Sequence, residues 1–134
     1  MTINIEPLTK AITRLEEGLA RYQRDITDTQ IRDGLIQRFE FTYELAHKTL
    51  KRFLASVSPT PGEFDAADFN YLVRSANEQG LLLKDWSAWK GYRDMRAKTS
   101  HTYDEEIALE VVTGIAPFLD EVRYLRDQFK SRLS

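Results

Sequence analysis

The longest helical pattern in this chain runs from Asp28 to Val57 and reads DTQIRDGLIQRFEFTYELAHKTLKRFLASV. Side chains of low polarity recur in it every three or four residues, a spacing that places them on one face of an α-helix. This stripe consists of Leu35, Phe39, Thr42, Ala46, Leu50, Phe53 and Val57, and Phe41 and Leu45 form a second strip beside it. A helix of about 28 residues is about 42 Å long, so the stripe needs partner helices of similar length to cover it.

Similar patterns flank this stretch on both sides. Residues 5–26 carry an apolar stripe that predicts a first long helix, with Pro7 in its first turn. Residues 58–62, SPTPG, end the second helix because proline lacks an N–H donor and disfavours helix before it. The helices predicted downstream are a shorter one over residues 66–79 that stops at Gly80, a fourth from Asp85 to about Ser100, and a fifth from just past His101 to Leu133 with a kink at Pro117.

Polar residues mark where three of these helices begin. Thr27 with Gln30, and again Thr102 with Glu105, have the spacing of a capping box, which bonds the free N–H groups of a first helical turn. Asp85 is a predicted N-cap of the fourth helix. No stretch alternates as a strand would, so the sequence predicts an all-α fold, an antiparallel four-helix up-and-down bundle with a fifth, shorter helix. Its 134 residues predict a single domain over 1–134.

Composition narrows the function classes. Cysteine is absent, which removes disulfides, thiolate nucleophiles and cysteine metal sites, and no apolar run is long enough to span a bilayer. No secretory leader is recognisable, so we expect a cytoplasmic protein without membrane contact. A net charge of −2 and a pI near 5.7 argue against a surface that coats nucleic acid, without excluding a local basic site. The basic residues Lys84, Lys90, Arg93, Arg96 and Lys98 precede an acidic stretch of Asp104, Glu105, Glu106 and Glu110.

The segment with the most chemical potential is Arg96 to Tyr103, RAKTSHTY. It places an arginine at the end of one predicted helix, His101 in the connection and a tyrosine in the first turn of the next helix. Arginine offers a planar fork for phosphate, and histidine moves protons near neutral pH. Both are what RNA cleavage without a metal requires, although each residue type also serves as an ordinary helix-junction or packing group.

A metal or cofactor site is not predicted. Glu40 and Glu44 lie one helical turn apart, with His47 three residues further on, but a carboxylate-bridged metal pair needs two such motifs and the pattern occurs once. No glycine-rich phosphate loop is present. The chain also lacks the Gly-Ser and Asp-x-Asp motifs of a nucleotidyltransferase, so we do not expect it to be that enzyme itself.

Two blocks carry a resemblance to a known family. Arg96, His101 and Tyr103 are spaced as in the R-x4-H-x-Y motif of HEPN proteins that pair with minimal nucleotidyltransferases. The block from Arg38 to Lys51, RFEFTYELAHKTLK, resembles the second-helix signature of the subfamily called nucleotidyltransferase substrate-binding proteins. With Trp89, the likeness spans nearly the whole chain. His47 departs from it, since an aromatic residue such as tryptophan is expected there.

The resemblance implies a HEPN-like helical bundle that forms a homodimer. It implies the toxin of a toxin–antitoxin pair, a metal-independent endoribonuclease with Arg96 and His101 as catalytic residues. The antitoxin would be a separately encoded minimal nucleotidyltransferase that transfers AMP to Tyr103 and so blocks the RNA substrate. Suggested auxiliary residues are Lys98, Asp94, Glu40 and Glu44. The alternative is a non-catalytic subunit that binds a substrate or nucleotide for the nucleotidyltransferase.

Overall fold

Helices make up nearly all of the regular structure. The computed structural model describes residues 3–133 and, within them, shows α-helices and short 3-10 turns but no strand. The α-helices are α1 (Glu6–Arg24), α2 (Thr29–Val57), α3 (Phe69–Glu78), α4 (Trp86–Lys98), α5 (Glu105–Thr113) and α6 (Ile115–Leu133). The 3-10 turns cover Pro61–Phe64 and Thr99–His101. The predicted all-α fold is therefore confirmed.

The two longest neighbours in sequence, α1 and α2, form an antiparallel hairpin. The Thr42 hydroxyl donates to the Ala11 carbonyl at 3.3 Å, and Arg38 Nη1 donates to the Arg14 carbonyl at 2.8 Å. Residue numbers rise on one helix as they fall on the other, which is the signature of antiparallel packing. The centre of the bundle is α2, which contacts α1, α3, α4 and α5.

The apolar stripes read from the sequence form the core. On α2 every predicted stripe residue is buried except Val57, which is 52% exposed at the helix end. Ile26, at the end of the first predicted stripe, lies in the α1–α2 turn and is 66% exposed. The largest fully buried side chains are Trp89, Phe39, Phe118 and Phe129. Phe118 contacts the edge of Phe39 with ring centroids 4.9 Å apart, and thereby joins α6 to α2.

Aspartates, and not the predicted threonines, cap the helices. The Asp28 side chain accepts from the N–H groups of the second and third residues of α2, and Asp104 does the same for α5. The capping boxes predicted at Thr27 and Thr102 were therefore wrong by one and two residues, because a carboxylate is a stronger acceptor at the positive helix end. Asp85 caps α4 as predicted.

The predicted fifth helix is divided in two. The structure ends α5 at Thr113 and begins α6 at Ile115, so the interruption lies at Gly114, one turn before the kink predicted at Pro117. Proline lacks the N–H that would bond the carbonyl four residues earlier, that of Thr113. Pro117 itself sits in the first turn of α6, where that N–H is not needed. A Cβ at Gly114 would lie 2.7 Å from Met95 Cε, so the glycine also lets α4 approach.

A buried carboxylate fixes the connection between α3 and α4. Gly80 ends α3 with a φ of +72°, a left-handed conformation that glycine adopts without strain. The chain then places the N–H groups of Leu83 and Lys84 on the carboxylate of Glu121, at 2.7 and 3.0 Å. Glu121 is fully buried in α6.

No helix within residues 3–133 has both the length and the apolarity needed to cross a membrane.

Candidate functional site

The motif segment connects two antiparallel helices. Helix α4 ends at Lys98, the 3-10 turn spans Thr99–His101, and α5 begins at Glu105. A second turn follows over residues 101–104, in which the Asp104 N–H donates to the His101 carbonyl at 3.1 Å. The predicted break between these helices is thus present, and it brings the motif residues to one end of the bundle.

His101 and Tyr103 lie beside each other on the surface. Their ring centroids are 6.2 Å apart in an edge-to-face arrangement. His101 is exposed, and Tyr103 is 87% exposed, the most exposed of the large hydrophobic side chains within residues 3–133. Within residues 3–133 neither side chain makes a hydrogen bond or ion pair, so both are accessible from solvent.

Arg96 is held by two carboxylates of α2. Its Nε and Nη2 donate to Glu44 Oε1, the former at 3.1 Å, and its Nη1 lies 3.3 Å from Glu40 Oε2. The hydrogen bond to Glu44 raises the pKa of Arg96, against the opposing effect of burial. Nη1 also donates to Thr99 Oγ1 at 3.2 Å. Because guanidinium has five N–H groups, this arrangement fixes its orientation and leaves the second N–H of Nη2 for another acceptor.

The other predicted auxiliary residues differ in their contacts. Lys98 Nζ pairs with Glu110 Oε2 at 3.0 Å and so ties α4 to α5. Asp94 makes no ion pair or side-chain hydrogen bond within residues 3–133. The structure therefore joins Arg96 to Glu40 and Glu44, and leaves Asp94 outside that network. No hydrogen bond or ion pair in the same part of the chain joins Arg96 to His101.

A buried arginine, Arg32, holds the start of the helix that follows the motif. It was not identified from the sequence. Arg32 donates through Nη1 and Nη2 to the two carboxylate oxygens of Glu105, at 2.6 and 3.0 Å. Its side chain is 7% exposed, whereas that of Glu105 is 66% exposed. This bidentate pair holds the first turn of α5 two residues past Tyr103. The available signal was spacing, since Arg32 lies three residues before Leu35 on the apolar face of α2.

An open groove of about 410 Å³ borders Arg96 on the side of α2 and the start of α3. Its lining includes Tyr43, Glu44, His47, Phe69, Arg93 and Arg96. Burial, followed by the nearby cations Lys51 and Arg93, lowers the pKa of His47. Burial also raises the pKa of Tyr43 to about 12. Sequence reasoning weighed His47 only as part of a metal pattern with Glu40 and Glu44, which it did not favour. It did not foresee the contact with Phe69, which lies more than twenty residues further along the chain.

Comparison with known proteins places the chain in a family. Residues 3–131 match the family described as "Nucleotidyltransferase substrate binding protein like". The chain belongs to this family. The resemblance predicted from the Arg38–Lys51 block is thereby confirmed.

No group of three or more histidine, aspartate or glutamate side chains within residues 3–133 is placed to hold a metal ion.

Two of the comparisons, one with named proteins and one with solved structures, found a match from Haemophilus influenzae. A protein named "Probable ribonuclease HepT" is 36% identical over 138 residues, which cover 97% of this chain and 94% of that protein. A solved structure, described as the fold of a substrate binding domain of a nucleotidyltransferase, is 36% identical with a TM-score of 0.89. It covers 95% of this chain and 99% of that one. The HEPN-like fold of this family member is therefore shown.

Proposed function

We propose that this chain is the toxin of a two-component pair, a metal-independent endoribonuclease that AMP transfer to Tyr103 neutralises. The observation that carries the proposal is the exposed pair of His101 and Tyr103 at the helix junction. A proton-transfer group and a modifiable hydroxyl lie there side by side. The name of the 36% identical relative, "Probable ribonuclease HepT", supports the same activity.

The proposed cleavage is an internal transfer at phosphorus. His101 takes the proton from a ribose 2′-OH, and the 2′-oxygen forms a bond to the adjacent phosphorus. The bond from phosphorus to the 5′-oxygen of the next nucleotide breaks, and that oxygen takes up a proton from water. The products are a 2′,3′-cyclic phosphate and a free 5′-OH. Arg96 donates to the phosphoryl oxygens as their negative charge grows, and Glu40 and Glu44 keep its guanidinium oriented.

The proposed control acts on the same few atoms. The partner nucleotidyltransferase joins the Tyr103 hydroxyl oxygen to the α-phosphorus of ATP. Pyrophosphate leaves, and the hydroxyl proton passes to a base of the partner. The AMP is then attached to the Tyr103 side chain, whose ring centroid lies 6.2 Å from that of His101. The bulk and negative charge of the AMP repel an RNA phosphate from that position.

The assembly proposed for this function has two further parts. The partner is a separately encoded minimal nucleotidyltransferase, in agreement with the family description. The active form is a homodimer, because one chain supplies only one Arg96–His101 pair. We place the pair in the cytoplasm, where an RNA substrate and ATP are both present.

The second candidate is a non-catalytic subunit that binds a substrate or nucleotide for the nucleotidyltransferase. The observation in its favour is that the single positive charge of Arg96 faces two negative carboxylates, those of Glu40 and Glu44. RNA affinity draws on unpaired cations, so this arrangement favours a ligand held by shape and stacking over one held by phosphate charge alone. The solved relative is described in these terms, as a substrate binding domain.

The experiment that separates the two candidates is RNA cleavage by the purified chain in EDTA, beside His101→Ala and the matched control Ser100→Ala. Both positions are exposed in the same turn, so neither substitution removes core packing. We expect wild type and Ser100→Ala to cleave, and His101→Ala to lose about 10²- to 10⁴-fold of the rate, as for a lost proton-transfer group. A wild-type chain that cleaves no RNA contradicts the toxin and favours the binding subunit.

A further inference from the structure

The groove beside Arg96 combines flat apolar surfaces with a free cation. Its walls come from three helices, with Tyr43 and His47 on α2, Phe69 at the start of α3, and Arg93 and Arg96 on α4. A volume of about 410 Å³ lies within the range of small-molecule pockets, roughly 300–1,000 Å³. The sequence separates these residues, and only the packing of α3 and α4 on α2 brings them together.

Three aromatic side chains of this groove lie next to one another: Tyr43, His47 and Phe69. The rings of Tyr43 and His47 are parallel to within 5°, with centroids 6.4 Å apart. The His47 and Phe69 centroids are 6.0 Å apart. His47 and Phe69 are only partly buried, so their rings still present area to the groove. A flat, uncharged, aromatic ligand is the natural complement to such surfaces.

Two arginines line the groove, and Arg93 is the one without a carboxylate partner among the described residues. Its guanidinium carbon lies 5.1 Å from the centroid of the Phe69 ring. Within residues 3–133 Arg93 makes no ion pair, unlike Arg96 on the next turn of α4. An exposed guanidinium that no carboxylate neutralises is a suitable donor to phosphate. The groove therefore offers an anion contact next to a stacking surface.

We propose that this groove binds one nucleotide, with its base against His47 and Phe69 and its phosphate on Arg93. The identity of the occupant rests on the proposed function. If the chain cleaves RNA at Arg96 and His101, the occupant is the RNA nucleotide that flanks the cleaved bond. A free nucleotide shares the same chemistry. The combination of a planar ring system and a phosphate sets both apart from a peptide or a lipid.

Stacking and charge make separable contributions to this binding. Loss of one base–aromatic contact weakens binding by about 5- to 150-fold. His47→Leu removes the flat ring and keeps the apolar bulk, and His47→Phe restores a ring. Arg93→Gln removes the phosphate contact, and Arg52→Gln is its matched control. Arg52 is also exposed, makes no ion pair in the described chain, and lies outside the groove.

The test is binding in the His101→Ala background, so that the RNA stays intact. One probe is a short RNA containing 2-aminopurine, whose fluorescence falls when the base stacks, and the other is 2-aminopurine ribonucleoside monophosphate. We expect Arg93→Gln and His47→Leu to weaken binding at least about fivefold and to reduce the quenching. Arg52→Gln and His47→Phe should resemble the parent.

Each outcome decides the assignment. If Arg93→Gln and His47→Leu weaken binding of the RNA probe alone, the occupant is RNA. If they weaken binding of the mononucleotide equally, the occupant is a free nucleotide. If Arg93→Gln and His47→Leu bind both probes as the control does, the groove is not a nucleotide site. That result is independent of cleavage: a chain that cleaves RNA but shows no groove effect overturns only this inference. A chain that binds through the groove but never cleaves overturns only the ribonuclease.

Discussion

The two ends of α4 are held in opposite ways. At its N-terminal end, the fully buried carboxylate of Glu121 accepts the N–H groups of Leu83 and Lys84, and Trp89 is 1% exposed. At its C-terminal end, Arg96 is held by carboxylates near the surface, and Tyr103 follows at 87% exposure. One end of the helix is fixed in the core, and the other presents its side chains to solvent.

This difference explains how a rigid helix can carry an accessible site. Buried hydrogen bonds are expensive to leave unmade, so the N-terminal end sets the position of α4. Ion pairs at the surface add little to stability, so the C-terminal end can exchange its partners for a ligand without unfolding. Substitutions at the two ends should therefore separate stability from function.

The largest effect is expected at Tyr103, on the exposed end. Tyr103→Phe keeps the ring and removes the hydroxyl oxygen that would receive AMP. We expect AMP incorporation from ATP and the partner nucleotidyltransferase to be lost completely, as read by intact-protein mass. Tyr124→Phe is the control, because its hydroxyl donates to the Gly80 carbonyl in another part of the bundle. Incorporation that persists in Tyr103→Phe would move the acceptor elsewhere.

The next effect is expected at the buried end of α4. Burial raises the pKa of Glu121, and its two oxygens each accept one backbone N–H. Glu121→Gln replaces one carboxylate oxygen with an NH₂ group, which cannot accept the backbone N–H that faces it. The free energy of unfolding should therefore fall by about 1–3 kcal/mol. Urea denaturation measures this, with exposed Glu78→Gln as the matched control. Equal stability of the two variants would show that this end is not fixed by the carboxylate.

His47 in the groove should make the stability of the protein depend on pH. Burial lowers the pKa of His47 below its ordinary 6.5, so the folded imidazole stays neutral while the unfolded one gains a proton. Stability should therefore fall as the pH drops through 6.5. His47→Phe should show a smaller fall between about pH 7.5 and about pH 5.5 in urea denaturation. An identical fall in both proteins would mean that His47 titrates normally.

The smallest effect is expected for the ion pair at the exposed end. Glu44→Gln removes a contact of Arg96 whose carboxylate side chain is 56% exposed. The free energy of unfolding should fall by only about 0.2–1 kcal/mol, and less at high salt. The same denaturation assay at two salt concentrations measures it. A loss as large as that of Glu121→Gln would erase the contrast between the two ends of α4.

The fold could be predicted in most of its parts because helices record their burial in local periodicity. The stripes on residues 5–26 and 28–57 became the α1–α2 hairpin nearly as predicted. Boundaries were less predictable, since a cap depends on which of several adjacent polar residues faces the free N–H groups. Asp28 and Asp104 provide the caps in place of Thr27 and Thr102.

The candidate site was predictable only where its residues are neighbours in sequence. Arg96, His101 and Tyr103 lie within eight positions of one another and were found by spacing. Arg32 is 73 residues from its partner Glu105, and no local pattern joins them. The roles of Arg96, His101, Tyr103, Lys98 and Asp94 in chemistry remain predictions.

The sequence by itself determined that this chain is helical, which faces of the helices are buried and where the motif interrupts them. These properties follow from local spacing, which the chain carries whatever its tertiary contacts. Only the tertiary structure decided which side chains meet across helices: Arg96 with Glu40 and Glu44, and His47 with Phe69 in the groove. Such contacts depend on how helices dock, and docking depends on packing between residues far apart in the chain.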